Sequence, residues 1–187
     1  PKELVNLSNS GDFEDMLESP VHVHNKMASV MITTDSVCDL PKSLRERYQI
    51  IEMPYHVHTD GGVFMDGIET ETDGVLSYIG DKGKNARSES PTVAEYEEFF
   101  AEQLAKAQHI IHITMAKNVS MGYDNAREAA KTFENINVVD SGHLSCGMGL
   151  LVLHAAEYAA SGMSSGDIIK KLERIRNQIK TSFVVNS

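Results

Sequence analysis

Short apolar runs rich in β-branched residues recur along the chain and mark its predicted strands. Runs of about four to eight such residues, bounded by turn formers, are typical of strands buried in a sheet. The run at residues 50–61 contains Pro54, which predicts an edge strand or a bulge, and a hairpin turn at residues 60–62 leads into a return arm at residues 63–67. The other predicted strands are residues 29–34, 109–115, 136–141 and 182–187.

Segments with apolar residues at helical spacing lie between these strands. The strongest begins at Thr92, because Thr92 and Glu95 have the spacing of a capping box and an apolar stripe follows them. Strands that alternate with helices predict an α/β fold with a mostly parallel sheet flanked by helices. The predicted helices are residues 40–50, 72–79, 92–104, 120–133, 144–160 and 164–175, and residues 81–90 are predicted to be a polar loop.

Residues 1–28 show neither the helical nor the strand spacing of apolar residues. They are interpreted as a leader or linker of unknown role, with one helical turn near residues 13–17. His22 and His24 could share one strand face, but no third ligand type lies nearby, so no metal site is predicted there. Because the sequence begins with Pro1, we expect it to be a piece of a longer protein.

Composition and charge narrow the possible partners. The 187 residues suffice for one domain with a sizeable core. There are 17 Lys and Arg residues against 27 Asp and Glu residues, and a formal net charge of −10 disfavours nucleic acid and anionic membrane surfaces. No stretch approaches the roughly 20 apolar residues that a membrane span needs. Cys38 and Cys146 do not make a disulfide framework, and we expect a cytoplasmic protein.

Polar clusters follow three of the predicted strands, at residues 34–36, 114–120 and 140–141. Ligands in parallel α/β sheets bind outside the carboxyl ends of the strands, and the polar residues 88–90 are free to join that edge. Hydroxyl and backbone N–H groups at helix N-termini suit a carboxylate or a phosphate. The same side chains also suit helix capping, so each has both interpretations.

Standard catalytic and cofactor motifs do not occur in the sequence. It has no G-x-S-x-G turn, no glycine-rich phosphate loop with a lysine and no C-x-x-C pair. Ser141 and His143 are two residues apart on a predicted turn, where side chains seldom face each other. His109 and His112 fall on opposite faces of one predicted strand, so one of them is expected to be buried and hydrogen-bonded.

The segment ITTDSVCDLPKSL at residues 32–44 resembles the opening motif of the DegV family, bacterial proteins that bind long-chain fatty acids. Four further segments resemble the family and follow in its order: MDGIETE (65–71), SESPTVAEYEEFF (88–100), HITMAKNVSMGYDNA (112–126) and VVDSGHLSCGMGLLVLHAA (138–156). The resemblance covers about residues 30–187.

The resemblance implies a first α/β domain and a second, smaller domain, with an acyl chain in a tunnel between and beneath them. We therefore predict a DegV-like α/β domain at residues 29–162 and the start of the second (lid) domain at residues 163–187. By this resemblance, we expect the sequence to end within that second domain.

The resemblance also implies a set of site residues. The ligand carboxylate is held by hydroxyls from two loops, which align with Ser88 and Ser120. Asp35 and Ser36 belong to the signature motif and are expected to shape the loop rather than to touch the ligand. No catalytic or metal-binding residue is predicted. The predicted ligand-binding residues are Asp35, Ser36, Ser88, Ser120, Met121 and Gly122.

The sequence departs from the family pattern at two places in these loops. Glu89 stands where the family has Ser, and a carboxylate facing an anionic head group would repel it. Met121-Gly122 replaces the usual Gly-Thr after the loop serine. The family's basic or imidazole contact comes from a later region that the sequence does not reach.

The function implied by the resemblance is binding of a long-chain fatty acid, without a cofactor, and presentation of its carboxylate to a kinase. That kinase, a separate subunit or a fused domain, phosphorylates the acid with ATP, and the binding protein contributes positioning. Two alternatives stay open: a small hydrolase or transferase that uses Ser36, Ser120 or His143, and a scaffold that has lost ligand binding through Glu89, Met121 and the missing domain.

Overall fold

The computed structural model describes residues 28–81 and 83–182 and is built around two sheets. The strands are β1 (Met31–Asp35), β2 (Ile51–Met53), β3 (His56–Thr59), β4 (Gly62–Met65), β5 (Arg87–Glu89), β6 (Ile110–Thr114) and β7 (Ile136–Asp140). The helices are α1 (Lys42–Tyr48), α2 (Thr72–Gly80), α3 (Val93–Leu104), α4 (Gly122–Ala130), α5 (Ser145–Ala160) and α6 (Ser165–Arg176), and a 3₁₀ turn follows β1.

The larger sheet has four parallel strands in the order β2-β1-β6-β7. Its register pairs Asp35 with Met53 and Thr114 with Asp140. The polar residues that end β1, β6 and β7 therefore meet at one edge of the sheet. The predicted α/β architecture, a mostly parallel sheet flanked by helices, is confirmed.

Two apolar layers cover this sheet. On one face, Ile111 and Ile113 of β6 pack with the fully buried Leu151 of α5. Ile110, which points to the other face because strand side chains alternate, packs with α3 and α4 through Phe100 and Ala126.

Helix α6 packs on the same apolar layer as α5. Its residues Ile168 and Leu172 are fully buried, and Ser164 caps it by accepting the Asp167 backbone N–H. The α6 residues, which lie in the segment interpreted as the start of a second domain, thus share a core with α5. The boundary at residue 162 remains a prediction.

The smaller sheet is antiparallel, with the strand order β4-β3-β5. It corrects two expectations. The run at residues 50–61 forms two strands in two different sheets, because the chain leaves the parallel sheet at Pro54, which has no backbone N–H for a ladder. The predicted polar loop at residues 81–90 contains strand β5, in which Ser88 pairs with Val57 of β3.

The predicted helix starts are mostly confirmed. Thr92 and Glu95 form the capping box of α3, with the Thr92 N–H 2.7 Å from the Glu95 Oε2. The helix expected to run from Ser120 to Phe133 is shorter and spans Gly122–Ala130. Ser120 lies before its first turn and accepts the Gly122 backbone N–H at 3.1 Å.

Three sequence interpretations fall outside the described residues. They are the helical turn near residues 13–17, the pair His22 and His24, and most of the strand expected at residues 182–187. Within the described part of the chain, none of the helices combines the length and the apolar character that a membrane crossing requires.

Candidate functional site

Ser120 lies half-buried at the N-terminal end of α4, beside the carboxyl edge of the parallel sheet. Its Oγ accepts the Gly122 N–H at 3.1 Å and lies 2.9 Å from the Oη of Tyr55. Tyr55 is only 2% exposed and connects β2 to β3. A helix N-terminus carries partial positive charge, so a hydroxyl fixed there is suited to an anion.

Gly122 leaves the space that the Tyr55 hydroxyl occupies. A Cβ built on Gly122 would lie 2.4 Å from the Tyr55 Oη and 3.3 Å from the Tyr96 Oη. A side chain at this position would push Tyr55 away from Ser120. The absence of a side chain at Gly122 thus allows the Tyr55 hydroxyl to reach Ser120.

Apolar side chains flank Ser120 on the surface. Val119 is 58% exposed and Met121 is 60% exposed. A polar hydroxyl between two exposed apolar side chains is an arrangement suited to a ligand with an anionic head and an apolar body.

Asp35 ends β1 and is completely buried beneath this site. Its Oδ1 accepts the Tyr96 hydroxyl at 2.7 Å and lies 3.2 Å from the His112 Nε2, and its Oδ2 accepts the Met115 backbone N–H at 3.1 Å. These partners tie the loop after β6 to the end of β1. The contacts agree with the expectation that Asp35 shapes the loop; its assignment to the ligand site remains a prediction.

His112 is the buried histidine that the sequence led us to expect on β6. Its ring is fully buried, and its Nδ1 lies 2.9 Å from the Thr33 Oγ1. The edges of Tyr96 and Phe100 pack against it. His112 therefore belongs to a packed polar network inside the fold.

The buried environment around Asp35 also changes the pKa values of Tyr55 and Tyr96. Burial, followed by the negative charge of Asp35, raises the pKa of Tyr55 well above its usual value. The same two causes raise the pKa of Tyr96. Both phenols therefore keep their protons, and can donate them, across the physiological pH range.

Ser36 fixes the main chain next to this cluster. Its Oγ donates to the Asp66 Oδ2 at 2.7 Å and accepts the Tyr55 N–H at 3.1 Å. Ser36 therefore joins the end of β1 to the strand connection at Tyr55 and to the loop after β4. Four of the predicted site residues, Asp35, Ser36, Ser120 and Gly122, come together around Tyr55 and Tyr96.

Ser88 lies on the smaller sheet and makes none of the hydrogen bonds described above. Its exposed side chain lies on the same face of the smaller sheet as Val57, its partner on β3, whereas Glu89 lies on the opposite face. The Glu89 Oε2 lies 2.6 Å from the His58 Nε2 and 3.7 Å from Arg87. The Glu89 carboxylate therefore lies beside an imidazole and a guanidinium group.

A small apolar cavity of about 250 Å³ lies between the β3–β4 hairpin and α2. Val57, Phe64 and Val75 are among its lining residues. The same part of the chain, from β4 to α2, also carries exposed apolar side chains; they are Val63, Met65, Ile68, Leu76 and Ile79.

Among the described residues, His143 and the nearby Ser141 are not paired as a hydrolase would need. The His143 Nδ1 lies 2.7 Å from the Thr181 Oγ1, and its Nε2 lies 3.0 Å from the Arg176 carbonyl oxygen. The Ser141 hydroxyl donates to the His143 carbonyl. In the parts of the chain that the structure describes, no three His, Cys, Asp or Glu side chains cluster as a metal site.

Tyr55 is the site residue that the sequence reasoning missed. It is separated from Ser120 by 65 positions, so no local spacing connects the two. The signal in the sequence was indirect: Gly122 stands where the family resemblance led us to expect a side chain, and a glycine leaves room for another group.

The sequence model of the DegV family, described as an uncharacterised protein family, matches residues 29–187. A DegV domain-containing protein of Clostridium perfringens is 29% identical over 163 residues, which are 86% of this chain and 58% of the relative. One from Deinococcus radiodurans is 30% identical over 161 residues, 85% of this chain and 57% of the relative. The chain thus spans just over half the length of these curated relatives.

Solved structures with the same fold include two described as fatty-acid-binding. A DegV family protein from Thermus thermophilus is 27% identical with a TM-score of 0.74. DegV from Bacillus subtilis is 25% identical with a TM-score of 0.75. Each match covers 80% of this chain and 54% of the other chain.

Proposed function

Because the chain belongs to the DegV family, we propose that it binds a long-chain fatty acid, with the carboxylate at Ser120 and the acyl chain along adjacent apolar surface. The observation that carries this proposal is the Ser120 hydroxyl, fixed at the N-terminus of α4 between the exposed side chains of Val119 and Met121. The fatty-acid binding described for the relatives from Thermus thermophilus and Bacillus subtilis supports it.

The energetics of such a ligand suit a site of neutral hydroxyls. Burying one methylene contributes about 0.8 kcal/mol, so a long acyl chain contributes roughly 10 kcal/mol before the costs of binding. A hydrogen bond to a charged group adds about 1.5–3 kcal/mol. The tail therefore supplies most of the affinity, and Ser120 orients the head group.

Ser88 is the second hydroxyl in the proposed site. It shares its strand face with Val57, which lines the cavity between the hairpin and α2. Glu89 projects from the opposite face and is held by His58, so its charge is directed away from a ligand that reaches Ser88. In this proposal the Glu89 carboxylate does not face the head group.

The finer proposal concerns what happens to the bound acid. We propose that the protein presents the carboxylate to a kinase, separate or fused, which phosphorylates it with ATP, and that this takes place in the cytoplasm. The protein's role is then to hold the acid in a reactive position. The second-domain region of the relatives, beyond the part this chain matches, would complete the head-group site.

The hydrolase alternative is weaker because of the contacts of its candidate residues. Ser36 donates to Asp66, and the ring of His143 contacts Thr181 and Arg176. Ser120 has Tyr55 and the Gly122 N–H as partners. None of these arrangements pairs a serine hydroxyl with an imidazole base, as a Ser-His hydrolase would need.

Native mass spectrometry and lipid extraction of the purified intact protein test the proposal, followed by titration with oleate. We expect a co-purified long-chain acid and an oleate affinity that Ser120→Ala lowers by about 1.5–3 kcal/mol, the scale of a hydrogen bond to a charged group. Ester hydrolysis abolished by Ser120→Ala would support the hydrolase instead. An empty protein that does not take up oleate would support the scaffold.

A further inference from the structure

We propose that Tyr55 is a positioning residue for the carboxylate site: its hydroxyl donates to the Ser120 Oγ and thereby directs the Ser120 proton toward the ligand. The inference rests on the proposed fatty-acid binding and concerns how the head group is recognised. It follows from the hydrogen-bonding capacity of the two hydroxyls and from the packing that holds them together.

The Ser120 hydroxyl has one proton and two lone pairs. One lone pair accepts the Gly122 N–H at 3.1 Å. If Tyr55, at 2.9 Å, donates to the second lone pair, the Ser120 proton is the only group left for a further partner. That partner must be an acceptor, and a carboxylate oxygen is the strongest acceptor a fatty acid offers.

The surroundings of Tyr55 fix its hydroxyl at this place. Its backbone N–H is bonded to the Ser36 Oγ, which in turn donates to Asp66. Its side chain is buried, and the absent side chain of Gly122 gives the hydroxyl its space. Tyr55 therefore needs no rearrangement when a ligand arrives, which lowers the entropic cost of orienting Ser120.

The Asp35 carboxylate also interacts with the Tyr55 hydroxyl and is the competing acceptor for its proton. The Asp35 carboxylate already has three partners, the Tyr96 hydroxyl, the Met115 N–H and the His112 Nε2. If Tyr55 donated to Asp35, Ser120 would donate to Tyr55 and would have no proton for the ligand. The two arrangements therefore predict opposite effects of removing the Tyr55 hydroxyl.

Titration of the intact protein with oleate and with oleyl alcohol distinguishes them. The variants are Tyr55→Phe, Ser120→Ala and their combination, with Tyr96→Phe as the matched control because its hydroxyl contacts Asp35. Tyr55→Phe should weaken oleate binding about three- to tenfold, the scale of one hydrogen bond, and affect the neutral alcohol less. In the Ser120→Ala background it should have no further effect.

An unchanged or tighter oleate affinity in Tyr55→Phe would overturn the inference, as would an equal loss in Tyr96→Phe. An unsubstituted protein that binds neither ligand would instead overturn the proposed function. If Tyr55→Phe does not fold, Gly122→Ala displaces the same hydroxyl from the other side. It should then produce the same selective loss of oleate, and equal losses of oleate and alcohol would count against the inference.

Discussion

Tyr55 and Gly122 are complementary in shape: the hydroxyl of the one lies 2.4 Å from where a Cβ of the other would be. The contact joins the connection between β2 and β3 to the first residue of α4. It holds a strand connection and a helix N-terminus at a fixed separation, with Ser120 bonded to both.

This contact predicts the effect of a single methyl group. Gly122→Ala should lower the free energy of unfolding by about 1–3 kcal/mol, because overpacking outweighs the helix propensity that alanine gains. In a Tyr55→Phe background, where the closest atom is gone, the same change should be much less destabilising. Urea denaturation of the two single variants and the double variant measures the coupling. Additive effects would contradict the proposed clash.

The two faces of β5 predict opposite outcomes for neighbouring residues. Ser88→Ala should weaken oleate binding by about 1.5–3 kcal/mol if its hydroxyl contacts the carboxylate. Glu89→Ser should leave the oleate affinity at neutral pH unchanged, because Glu89 lies on the other face and contacts His58. Calorimetric titration of each variant with oleate measures these affinities. Tighter oleate binding by Glu89→Ser would mean that the Glu89 carboxylate of the unsubstituted protein faces the head group.

The two cysteines should react very differently with a thiol reagent. Cys38 is buried and hydrogen-bonded to Glu52, and burial raises its pKa to about 11. At pH 8 only about one thiol in a thousand would be ionised there. Cys146 is exposed. In a timed assay with a disulfide reagent, the native protein should label at Cys146 first, and Cys146→Ser should remove the fast phase. Fast labelling of Cys38 in that variant would contradict the burial.

The capping box of α3 predicts a pH-dependent contribution to stability. Burial acts to raise the pKa of Glu95, but hydrogen bonds from Thr92 and the nearby His56 together lower it below its usual value. A carboxyl whose folded-state pKa is depressed stabilises the fold above its unfolded pKa, and this stabilisation is lost as the pH falls through the folded value.

Glu95→Gln should therefore reduce the stability difference between pH 7 and pH 3.5, because glutamine keeps a capping acceptor but does not titrate. Urea denaturation at the two pH values gives that difference. Glu98→Gln, at an exposed position on the same helix, controls for the loss of one charge. Equal pH dependence of Glu95→Gln and the unsubstituted protein would contradict this account.

The elements of the parallel sheet could be predicted because their information is local. The strand at residues 110–114 is buried throughout, so its apolar run stands out from the polar segments around it. The capping box at Thr92 is likewise contained within four positions. Burial and capping therefore produce local sequence patterns that can be recognised without the structure.

Strand β5 has no such local sequence pattern. Its three residues, Arg-Ser-Glu, are polar and exposed, so neither alternation nor β-branching marks them as a strand. They become a strand only because their backbone pairs with β3. The Tyr55–Ser120 contact was hidden for a related reason, since two hydroxyls distant in sequence meet only after both sheets have formed.

The charged character of β5 has a further consequence for how molecules of this protein meet each other. As one of the two outer strands of the smaller sheet, β5 offers backbone groups to another extended chain. Arg87 and Glu89, both exposed, would have to lose water for a second copy to add there. The three polar residues of β5, which made the strand hard to predict from the sequence, thus also disfavour edge-to-edge aggregation at this strand.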